Sequence, residues 1–121
     1  MNTTEYRDKA FELYDTDQEQ AVKYFTLAAN KKDIPSAVAL ATHYYETDDD
    51  DKKAKEWLKK AFDWFKKAGE PEECADYIAR GYFLRGIIDE YEAPYLATID
   101  FTVAANMGDI ESLSHLGELA A

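Results

Sequence analysis

The chain has 121 residues, with 14 Lys and Arg against 25 Asp and Glu for a net charge of −11, and 46% of its residues are hydrophobic. That length suits a single domain over residues 1–121, and so large an apolar fraction excludes general disorder in spite of the charge. The one cysteine, Cys74, excludes an intrachain disulfide or a Cys-rich zinc site, and the acidity argues against direct nucleic-acid binding, which depends on neutralising phosphates.

In chain order, Thr3 or Thr4 is expected to cap a first helix reaching about Asp15, with Tyr6, Ala10, Leu13 and Tyr14 as its apolar face. Asp17 and Gln20 stand as a capping box for a second helix over about residues 18–31. Asp33 and Pro35 punctuate the start of a third, which carries Ser36, Ala37, Leu40, Ala41 and Tyr44 on one side. Glu46 to Asp51 is an acidic turn into the strongest helical pattern of the chain, Asp50 to Gly69. On a helical wheel its Ala54, Trp57, Leu58, Ala61, Phe62, Trp64, Phe65 and Ala68 fall within an arc of roughly 160°, and every charged residue falls outside it. Trp57 lies centrally on that arc and is expected in the core. Gly69 ends this helix, and Pro71 opens a fifth with Ala75, Ile78, Ala79, Tyr82, Phe83 and Gly86 inward. A short connection from Ile87 to Glu92 leads to a sixth helix from Pro94 to Met107. Gly108 stops it, and Asp109 caps a seventh carrying Leu113, Leu116 and Leu119. No strand or hairpin signal competes. With no basic region leading into an apolar run at the N-terminus, and no apolar segment near about 18 residues, a cytoplasmic protein that does not engage a membrane is expected.

The sequence repeats. AVKYFTLAAN from Ala21 to Asn30 matches ATIDFTVAAN from Ala97 to Asn106 at an offset of 76 residues, which fits two units of about 38. Asp50, Lys53, Ala54, Trp57, Leu58, Lys60 and Ala61 stand as D-x-x-K-A-x-x-W-L-x-K-A, which resembles the second-helix signature of Sel1-like repeats, relatives of the tetratricopeptide repeat. Ala104, Ala105, Gly108, Leu116 and Gly117 resemble another part of that pattern, with Ser112 in place of its small Ala. Ala28, Ala29, Ser36, Leu40 and Tyr44 follow it more loosely, and Lys32 and Phe65 occupy positions where it would place Gly. The resemblance implies an all-α, right-handed stack of about seven antiparallel helices, an α-solenoid in which alanines let the helix axes approach closely.

The chemistry-bearing residues have plain structural readings. Asp48 to Asp51 lacks the central Gly and distal Glu of a calcium loop and reads as a solvated turn. His43 with Glu46, and Glu111 with His115, offer two metal ligands each, short of a site. Cys74 lies among Glu72, Glu73 and Asp76, which would raise its pKa, so it reads as a packed residue. No phosphate-cradling glycine loop is present. Residues 52–67 hold seven lysines against Glu56 and Asp63, a local +5 that leaves −16 on the rest; this stripe reads as an exposed, solubilising helix face.

On the fifth helix Tyr77, Arg80 and Leu84 form an i, i+3, i+7 stripe off the apolar face, and on the third Thr42, His43 and Glu46 lie off the apolar side. The repeat resemblance implies that the first helix of each pair lines a concave groove, which would gather these six residues as a partner-binding site. For Tyr77 the competing reading is contact with the neighbouring long helix. The expected role is a non-catalytic protein-interaction module, a small acidic adaptor or immunity-like inhibitor docking a partner with basic patches, with no cofactor or metal. The alternative is an acidic mimic of nucleic acid that blocks a nucleic-acid-binding enzyme. A weak homodimer through the C-terminal helix is also expected, with Leu113 or Leu119 outward and Leu116 inward.

Overall fold

A computed structural model describes residues 1–120, with side chains through Glu118. It contains seven α-helices: α1 Thr3–Leu13, α2 Gln18–Ala29, α3 Ile34–Glu46, α4 Asp51–Lys67, α5 Ala75–Asp89, α6 Pro94–Asn106 and α7 Ile110–Ala120. A 3-10 turn, Glu72–Cys74, precedes α5, and no strand occurs among the described residues.

Aspartates start most of the helices. Asp17, Asp33, Asp50 and Asp109 each accept a hydrogen bond from the backbone N–H three residues on, satisfying a donor that the first turn leaves free. The first helix departs from expectation. Asn2, not a threonine, caps it, with a full capping box in which Asn2 Oδ1 accepts from the Glu5 N–H and Glu5 Oε1 from the Asn2 N–H. At α2 the Asp17 half of the expected box forms.

Three helices end alike. The N–H groups of Asp33, Glu70 and Asp109 reach back five residues to the carbonyls of Ala28, Phe65 and Ala104, the outer bond of a Schellman turn. Each closure needs a left-handed residue just before it, supplied by Lys32 at φ 67°, Gly69 at φ 82° and Gly108 at φ 102°. Asp33 and Asp109 therefore both close one helix and cap the next. That double duty keeps the α2–α3 and α6–α7 connections to four and three residues.

Short connections fold each helix against the one before it, and α3 also packs on α5. Ala21, Ala37, Ala41, Ala54 and Ala61 are fully buried where the helices meet, and Phe25, Leu40, Leu58 and Ile78 fill the space between them. A smaller cluster of Phe83, Ala97, Phe101 and Ala104 ties α5 to α6.

Two expectations change here. Trp57 and Trp64 are only partly buried, and Lys60 Nζ lies 4.4 Å from the Trp57 ring centroid. The contact face of α4 is narrower than its apolar arc, because α3 and α5 together cover only Ala54, Leu58, Ala61, Phe62 and Phe65. In addition, α5 continues to Asp89 through much of the expected connection. Arg85 near the end of this longer helix makes a two-pronged ion pair with Asp100 of α6, at 2.9 and 2.8 Å, and lies over the stacked rings of Phe62 and Tyr82.

Candidate docking groove

A groove of about 540 Å³ runs across the odd-numbered helices. Phe11 and Tyr14 of α1 form one wall, Thr42, Tyr45 and Glu46 of α3 the middle, and Tyr77, Arg80, Leu84 and Ile87 of α5 the other wall, with Glu111 of α7 at the edge. Phe25 of α2 lies beneath, and Phe11, 42% exposed, meets it edge to face at 4.9 Å.

Thr42, Glu46, Tyr77, Arg80 and Leu84 all line this groove, so five of the six residues singled out from the sequence come together. The sixth, His43, does not. It is buried, with Nδ1 3.3 Å from the Tyr14 hydroxyl and Nε2 3.8 Å from Asp48. One residue past Thr42, it is turned about 100° around the helix, toward α1. It therefore positions the Tyr14 wall from behind.

Tyr77 faces the groove, and its side is open to solvent. Arg80 is more constrained than a free anchor: its Nη1 lies 2.9 Å from Asp109 and 3.4 Å from Glu111, and its guanidinium lies over the Phe83 ring at 4.4 Å. Phe11, Tyr14 and Tyr45 also line the groove and were assigned to packing or left unassigned by sequence. A helical wheel of one helix cannot show which face a second helix leaves uncovered.

The lysine stripe of α4 borders a separate cleft of about 940 Å³, shared with the C-terminal half of α5, Tyr91 and Glu92. It is larger but charge-balanced: Lys52, Lys55, Lys59 and Lys66 alternate with Asp51, Glu56, Asp63 and Asp89, and Lys55 pairs with Asp89 at 2.8 Å. A surface of this kind selects neither sign of ligand, which agrees with a solvated helix face.

The metal-ligand pairs of the sequence separate. His43 turns to Tyr14 and Asp48, Glu111 to Arg80, and His115 to Glu90, with Nδ1 3.4 Å from Oε1. Glu90, His115 and Glu118 bring ligand atoms within 4.8 Å of one another, but the close pair is an ordinary side-chain contact between the residue after α5 and α7, and Glu118 is exposed. Cys74 is half-buried, and burial first, then Glu73 and Asp33, push its thiol pKa up, the reverse of an activated nucleophile. No helix among the described residues is long and apolar enough to cross a membrane.

No protein-family model, curated protein or solved structure matches this chain.

Proposed function

We propose that this chain is a non-catalytic protein-binding module, a tetratricopeptide-like stack of the Sel1 kind, that docks a partner protein with a basic surface in the groove across α1, α3 and α5. The carrying observation is that a groove with an aromatic and aliphatic floor opens on one side of an otherwise strongly acidic body. Exposed aromatic residues set in a concave site are the usual anchors of protein recognition. The repeat supports the kind of stack, because the AAN-x-x-DI run of α2–α3 recurs at α6–α7 with the same Schellman closure and aspartate cap.

The role this suggests is that of a small adaptor or inhibitor. The test is affinity capture from the native lysate with the wild type, Tyr77→Ala and Glu46→Lys, both at exposed positions. Capture of one basic protein by the wild type and its loss in the groove variants supports the reading; equal capture by all three removes it. Imitation of nucleic acid is the second reading, favoured by the −16 carried outside residues 52–67. In that case duplex DNA or RNA displaces the partner, and groove substitutions leave binding intact.

A further inference from the structure

The groove is electrically polar along its length. The C-terminal ends of α1 and α3 meet at one mouth, where Tyr14 lies among Asp15, Glu46 and Asp48. The end of α5 joins them there, because Tyr45 lies among Glu46 at the end of α3, Asp49 of the α3–α4 turn, Asp51 at the start of α4 and Glu90 just past α5. The ends of α1, α3 and α5 each add the negative pole of a helix dipole, while the start of α4 at Asp51 adds a positive one. Burial first, and these carboxylates after it, push the phenol pKa of both Tyr14 and Tyr45 up. Two lysines of α4 are directed elsewhere: Lys53 lies over the Tyr44 ring, and Lys55 pairs with Asp89.

The opposite end is less negative. Arg80 meets Asp109 and Glu111, so one cation there offsets one of two carboxylates. Between the two ends the lining is apolar, with Phe11, Val38, Leu84 and Ile87.

We infer that the occupant of this groove is a short linear segment of a partner protein, with aromatic or aliphatic side chains set between Phe11 and Leu84 and a lysine or arginine directed to the carboxylate mouth at Glu46. A folded surface presents few side chains deep enough for a groove of about 540 Å³, whereas a peptide of several residues fills a site of that size. The cation follows from charge complementarity: it would meet Glu46, which lines the groove and has no described hydrogen bond or ion pair, amid the other carboxylates around Tyr14 and Tyr45.

This inference rests on the groove being the docking site, and a peptide selection separates the two claims. Random 12-residue peptides displayed on phage are panned against the whole chain, and enriched sequences are made as fluorescein-labelled peptides for anisotropy. Expected are sequences that join an aromatic or aliphatic pair to Lys or Arg, with affinity falling about tenfold in Glu46→Lys and weakening steadily as salt rises. Replacing the peptide's basic residue by Ser should remove most of the difference between wild type and Glu46→Lys. Peptides that lose binding in Tyr77→Ala but carry no basic residue overturn the inference and leave the groove reading standing. Peptides indifferent to both substitutions overturn both, and failure to enrich any sequence overturns the single-segment claim. Circular dichroism of each variant confirms that the helices are intact.

Discussion

Arg80 stands to Asp109 as Arg7 stands to Asp33: in each pair the arginine Nη1 lies 2.9 Å from the aspartate Oδ1. The other oxygen of each aspartate accepts the N–H and hydroxyl of the serine three residues on, Ser112 or Ser36. The two aspartates are 76 residues apart, as are the two serines, so the sequence repeat reappears as a repeated hydrogen-bond network. In both copies an arginine from the helix two elements earlier clamps the cap of the later helix, fixing the odd helices that form the groove.

This network makes stability depend on acid. Burial raises the Asp109 pKa, but hydrogen bonds from Ser112 and Arg80 together outweigh it and hold the carboxyl below its ordinary value. With the folded pKa below the unfolded one, the stabilisation is fully present above the unfolded value of about 3.9 and is lost as pH falls through the folded pKa. Urea unfolding should therefore show Asp109→Asn less stable than wild type at neutral pH, with the gap closing in acid as pH falls past the unfolded value and through the lower folded one. Arg80→Ala should cost about 1–2 kcal/mol, modest because Arg80 is 48% exposed. A pH-independent gap would show that the charge of Asp109 contributes nothing.

Lys32 is where a backbone rule and the sequence disagree. Its φ of 67° places a side chain in the left-handed region at the position where Gly108 stands in the second copy. Lys32→Gly should stabilise the protein by about 0.5–1 kcal/mol, the relief of strain exceeding the added freedom of the unfolded chain. Thermal denaturation should show a higher midpoint; a lower one would mean that the Lys32 side chain makes a stabilising contact.

Gly86 is the reverse case, a glycine inside a helix that no turn requires. A Cβ there would lie 2.5 Å from Cε1 of the fully buried Phe101 ring, so the absent side chain lets α6 approach α5. Gly86→Ala should cost about 1–3 kcal/mol despite the higher helix propensity of alanine, and Gly86→Ala with Phe101→Leu should recover part of the loss. Chemical unfolding of the single and double variants measures both.

The helices and most of their caps were legible in the sequence because local chemistry decides them: an aspartate three residues before a free N–H caps wherever it occurs. The groove was legible in part. Tyr77, Arg80 and Leu84 at i, i+3, i+7 reach it together, whereas His43 shares only the segment of Thr42 and Glu46 and points to α1. Trp57 shows what a wheel cannot reveal, since the width of an apolar arc does not tell how much of it neighbours cover. Its partial burial lowers the expected cost of Trp57→Ala to about 1–2 kcal/mol, against about 2–5 for the fully buried Leu58→Ala, and equilibrium unfolding of the two variants tests that order.

The C-terminal face gives the last prediction. By the 76-residue offset, Ile110 and Leu113 correspond to Ile34 and Ala37, which are 6% and 0% exposed inside the stack, where α3 packs against its neighbours α2, α4 and α5. Ile110 and Leu113 are instead 78% and 58% exposed, and no described residue takes the place that α4 has beside α3. Leu116 packs inward against the Phe83 and Phe101 cluster, and the Leu119 side chain lies outside the described residues, so Ile110 and Leu113 carry the exposed apolar surface. Burying two such side chains is worth about 1.5–3 kcal/mol each, most of which the lost freedom of association offsets, so the contact between two copies should be weak. Light scattering should show the mass rising toward a dimer near 1 mM, a concentration at which a contact of about 4 kcal/mol is half formed. Leu113→Glu should remain a monomer over the same range, because a carboxylate placed in that face would be desolvated without a partner. A wild type that stays monomeric at about 1 mM excludes self-association through this face.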